Sequence, residues 1–139
     1  MRLLCLLFFI ALDSYVVLVF FKQKTRQNAL KSIAYLIGFT VVSSAITHLA
    51  IPATKQLNEL AKNALTSFSI ILFAAFFCQL IAILVKRVID WHRENNSANL
   101  HRQPIRFAIE RQEQLINFAN YFYFASSLLV LWGIWLGPA

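Results

Sequence analysis

Asp13 is the one ionisable side chain near the middle of an apolar stretch, the run from Leu3 to Phe21 that only Asp13 and Ser14 interrupt. A carboxylate at mid-bilayer carries a penalty of a few kcal/mol, so it is expected to face other helices and to find a donor or a proton there. Two kinds of chemistry follow. A carboxyl that takes up and releases a proton or cation could couple transport, whereas one that only holds a hydrogen bond glues helices together. Depth counting from the ends of the apolar runs, at about 1.5 Å per residue, brings partners to its level. Thr40 is level with Asp13, Ser126 and Ser127 lie close, and Ser44 and Gln79 fall within a turn or two. Together they form the candidate intramembrane polar cluster. Its carboxyl is expected to point into the bundle, neutral or hydrogen-bonded.

Thr40, Ser44 and His48 recur every four residues, with Ser43 and Thr47 beside them, and give the second run a polar face. Hydroxyls on such faces bond to their own backbone or to a neighbouring helix. The alternative is a hydrated path toward Asp13 with His48 at its mouth. Asn117 and Asn120, beside Tyr121 and Tyr123, suit the membrane interface, where they need no internal partner.

Other chemistries lack their parts. His48, His92 and His101 are scattered, and no CxxC or HxxxH pattern occurs, so no metal site is expected. A Gly-rich phosphate loop, a nucleophile with its base and a pair of catalytic carboxylates are all absent. No catalytic residue is assigned, no cofactor is implied, and an enzyme is not expected. Cys5 and Cys78 lie inside apolar runs, away from the electropositive, accessible settings that activate thiols.

The elements that must position Asp13 are four apolar runs of about 20 residues each, spanning 3–21, 32–51, 65–85 and 115–136. A helix needs about 20 residues to cross a hydrocarbon core of about 30 Å, and backbone in lipid must satisfy its own hydrogen bonds. The first run is expected to be a retained helix, since no small-x-small cleavage site follows it. Composition agrees. The 139 residues are 59% hydrophobic and only 14% charged, against roughly 25% charged in soluble domains. One polytopic domain, 1–139, is expected.

The net charge of +7 could suggest nucleic acid, but the basic residues flank the apolar runs. Ten of the thirteen lie between runs one and two or between runs three and four, and only Arg2, Lys55 and Lys62 lie on the other side. The positive-inside rule then sets both termini outside the cytoplasm, in a bacterial inner membrane, with no nucleic-acid partner. Trp132 and Trp135 at the outer end of run four, and Trp91 past the inner end of run three, read as interfacial anchors.

Residues 53–64 read as a short amphipathic surface helix or, preferably, as the first turns of the third helix, since no Gly or Pro separates them from it. The connection 86–114 continues the third helix with Lys86 and Asp90 at pairing distance, turns at Asn95–Asn99, and restarts near Pro104. Arg106 and Glu110 are spaced to pair, and Ile105, Ala108, Ile109 and Gln112 share one face. A helix running unbroken from there into run four would make spans three and four a hairpin projecting into the cytoplasm. Small residues mark helix contacts: Ala34 and Gly38 on run two, Ala74, Cys78 and Ala82 on run three. Runs two and three are expected to be the close pair, with Gly38 at the contact. The function expected is a non-enzymatic membrane subunit that assembles with itself or with other membrane proteins, in an ion-conducting or secretion assembly. The alternative is a small self-assembling transporter or channel that uses Asp13.

Overall fold

The computed structural model describes residues 2–18, 25–50, 55–96, 100 and 102–137, apart from the side chains of 47–50 and 55–58. The chain is all-α, with no strand among the described residues. Its helices are α1 (Arg2–Leu18), α2 (Arg26–Ala50), α3 (Lys55–Asn95), α4 (Ile105–Glu110) and α5 (Gln112–Leu136). Three of them, α2, α3 and α5, contain stretches long and apolar enough to cross a membrane. The described part of α1 has 17 residues, about 26 Å at 1.5 Å per residue. A fourth crossing is therefore not established by its length.

Helix α3 organises the bundle. Its 41 residues contain no Gly or Pro, so nothing interrupts the hydrogen-bond ladder over about 60 Å. Residues 55–64 are its first turns, which makes the surface-helix alternative incorrect for Lys55 onward. It packs against all four other helices, and α5 also packs on α1. Buried residues fall on helical stripes: Leu6, Phe9, Asp13 and Val17 on α1, and Ser127, Leu131 and Trp135 on α5. One core cluster joins Leu6 and Phe9 to Ile71, Leu131 and Trp135. The other joins Val17 to Ala29, Ile33, Leu72, Ala74, Ala75 and Cys78. Asp13 lies on the α1 stripe between the two.

The exterior carries many large apolar side chains, and several polar ones are inside. Phe8, Tyr35, Phe39, Val42, Leu129 and Trp132 are exposed, while Asp13, Thr40, Ser67, Gln79 and Ser127 are buried. Water would penalise this distribution, and hydrocarbon demands it.

The α3–α5 connection departs from expectation in two places. Asp90 pairs with Arg93, at 3.8 Å, rather than with Lys86. The helix after Pro104 does not run unbroken into α5, because Arg111, at φ −115° and ψ 23°, separates α4 from it. The break is a local distortion at Arg111, across which Arg111 N still donates to Phe107 O and Leu115 N to Arg111 O, each at 3.0 Å. Arg106 does pair with Glu110, at 2.7 Å, and that carboxylate holds the guanidinium above its ordinary pKa. The expected face of Ile105, Ala108, Ile109 and Gln112 is half-buried. At the far end of α5, a Cβ on Gly137 would meet the carbonyl of Gly133, so the closing turn there needs glycine.

Candidate functional site

The site builds outward from Asp13, which has no solvent exposure. Its neighbours on the α1 stripe are one turn away on each side, Phe9 and Val17, and both are packed in the core clusters. That packing fixes which way α1 faces, and so aims the carboxyl at α5. There the Ser127 hydroxyl donates to Asp13 Oδ2 at 2.6 Å. The same Oγ lies 2.7 Å from the carbonyl of Phe124 on its own helix. A hydroxyl has one proton to give. The two short contacts therefore either share it, or the carboxyl supplies a second. Asp13 Oδ1 is buried and finds no hydrogen-bond partner among the described residues.

Of the other candidates at compatible depth, none bonds to Asp13 among the described residues. Thr40 is buried, but its hydroxyl donates to Leu36 O on its own helix at 2.7 Å. Ser126 does the same to Phe122 O at 2.8 Å. Ser44 is half-buried on α2, a helix that packs chiefly on α3. Gln79 is buried, and its Oε1 has no partner. Depth counting carries no information on azimuth, and azimuth is what separates Ser127 from the other candidates. The side chains of Thr47 and His48, which the expected polar path along α2 would need, lie outside the described residues.

A second internal lock went unseen in the sequence. Trp135, expected as an interfacial anchor, is instead buried, and its indole Nε1 donates to Ser67 Oγ at 2.9 Å. Its ring stacks on Phe9 with centroids 5.6 Å apart, and Ser67 Oγ itself donates to Asn63 O at 2.7 Å. The available signal was depth. Ser67 stands near the start of run three and Trp135 near the end of run four, so antiparallel packing brings them level. Trp132 and Trp91, the other two expected anchors, are both exposed.

The small residues divide. Ala74, Cys78 and Ala82 are buried on α3, and Cys78 Sγ is 4.0 Å from the carbonyl of Asn120 on α5. Ala34 and Gly38 are exposed, and nothing lies within 4 Å of where a Gly38 Cβ would sit. Helix α2 does pack on α3, but through Ala29, Ile33, Ile37 and Thr40. The expectation of Gly38 at the α2–α3 contact is incorrect.

Asn117 is exposed and Asn120 half-buried. His92 Nδ1 is buried without a partner among the described residues, and its ring meets Trp91 edge-on at 4.9 Å. No group of three or more His, Cys, Asp or Glu side chains able to hold a metal occurs among the described residues. Searches of protein-family models, curated proteins and solved structures find no match to this chain.

Proposed function

We propose that this chain is a non-enzymatic membrane subunit that assembles, through α2, with a second copy of itself or with another membrane helix. The observation that carries this reading is the open face at Ala34 and Gly38. Between membrane helices there is no hydrophobic drive to associate, so contact relies on small residues that let backbones approach. The chain spends Ala74, Cys78 and Ala82 on its own packing and leaves the α2 strip uncovered. In the same reading α1 is a fourth span, both termini lie outside, and α3 with α4 and α5 forms a hairpin reaching into the cytoplasm from a bacterial inner membrane. The Lys and Arg bias supports that orientation. An ion-conducting or secretion assembly is the setting this subunit suits.

The test is the oligomeric state in mild detergent, read by native mass spectrometry, for the parent and for Gly38→Leu. A parent oligomer that dissociates in the variant is the expected result. A parent that is monomeric and makes no contact with other membrane proteins refutes the reading.

One observation favours a second reading, in which Asp13 couples proton or cation movement. Its Oδ1 is buried and has an acceptor position to spare. Asp13→Asn keeps the shape and a hydrogen bond to Ser127 while removing the titratable group. An ion flux in proteoliposomes that survives this change eliminates coupling at Asp13.

A further inference from the structure

We infer that the cavity between the start of α2 and the charged end of α3 holds the phosphate headgroup of an anionic phospholipid. The cavity measures about 760 Å³ and opens to the outside. Thr25 and Arg26 line it from α2, and Lys86, Arg87, Trp91 and Glu94 from α3. This inference rests on the chain lying in a bilayer and is independent of the assembly reading.

Three features converge on a phosphate. Arg26, Lys86 and Arg87 supply cations from two different helices to one space, and none of them is in an ion pair among the described residues. The same wall carries two acids, Glu94 and Asp90, the latter also 3.8 Å from Arg93, so the three cations leave the lining with one net positive charge. Second, α2 begins here. Thr25 O accepts the first helical bond, from Ala29 N at 2.9 Å, so the earlier N–H groups of the helix have no partner within it. They and the positive end of a 25-residue helix dipole face the same region.

Third, the depth is right for a lipid. Lys86 and Arg87 follow directly on the apolar run ending at Val85, and the exposed Trp91 stands one turn further on. Cations and an indole just past the hydrocarbon edge are what a headgroup meets, and basic pockets between helices are a recurrent mode of anionic-lipid binding. A lipid seated here would run its acyl chains toward the membrane core along the exposed apolar surface that begins at Leu84 of α3. A free phosphate would gain nothing from that face.

Native mass spectrometry of the detergent-purified chain tests the assignment, with phosphatidylglycerol or phosphatidylcholine added. Retention of phosphatidylglycerol over phosphatidylcholine is expected, and excess inorganic phosphate should not displace it. Lys86→Gln and Arg87→Gln should each weaken the phosphatidylglycerol complex about fivefold, from about 1 kcal/mol per basic residue at a membrane surface. Glu94→Gln should tighten it, a gain that misfolding cannot mimic. Lys62→Gln, at the opposite end of α3, should change nothing. Equal retention of the two lipids, full displacement by inorganic phosphate, insensitivity to Lys86→Gln and Arg87→Gln, or no gain from Glu94→Gln overturns the assignment.

Discussion

At the scale of single residues, two hydrogen bonds between side chains join the helices among the described residues, Ser127 to Asp13 and Trp135 to Ser67. Each satisfies a group that lipid would otherwise strand, so removing one partner should cost more than removing both. Ser127→Ala is expected to destabilise the fold by about 1–3 kcal/mol, the range for a buried polar group left unpaired. Asp13→Asn should cost much less, since the amide still offers Ser127 an acceptor. Thermal unfolding in detergent distinguishes the two, and equal losses would show that charge rather than hydrogen bonding matters at this position. A double-mutant cycle on Trp135→Phe and Ser67→Ala should return a coupling of about 0.6–1.7 kcal/mol, as found for hydrogen bonds between membrane helices. A cycle that closes to zero would mean that Trp135 is held by its stacking on Phe9 alone.

Among the long helices, α2 has the fewest neighbours, since it packs chiefly on α3. Its two faces explain how far sequence reasoning reaches. The apolar runs were legible because hydrocarbon tolerates no other backbone than helix over such lengths, and α2, α3 and α5 overlap them and extend beyond at least one end of each. The partner of Asp13 was legible only as a set of residues at one depth. Length along a chain gives depth at 1.5 Å per residue, but the rotation of a helix about its axis depends on packing that no local pattern encodes. That is why Ser127 could not be separated from Thr40, and why Gly38 was assigned to the wrong contact. Because Gly38 has open space around it, Gly38→Leu should leave the folding stability of the single chain within about 0.5 kcal/mol, as for exposed sites. The same substitution should weaken assembly by about 1–3 kcal/mol if a second helix packs there. Unfolding and dissociation measured on the same sample read the two effects separately.

For the whole molecule, a surface rich in exposed apolar side chains such as Phe8, Phe39 and Phe118, around a core that also holds Asp13, is what a lipid solvent selects. Orientation across that lipid follows from charge rather than from packing. Cysteines introduced at Ser97 and at Ala139 should react oppositely with an impermeant thiol reagent in intact cells, the Ala139 site labelled and the Ser97 site protected. Labelling at Ser97 would reverse the topology. The unbroken length of α3 has a mechanical consequence. A rod of about 60 Å inside a core of about 30 Å pivots near its middle. A tilt of about 10° would carry each tip sideways by about 5 Å, on a lever arm of about 30 Å set by the rise per residue. With no Gly or Pro to act as a joint, a sideways force on the charged end near Arg93 would pass along the rod to the contacts that hold it, the Trp135–Ser67 hydrogen bond among them.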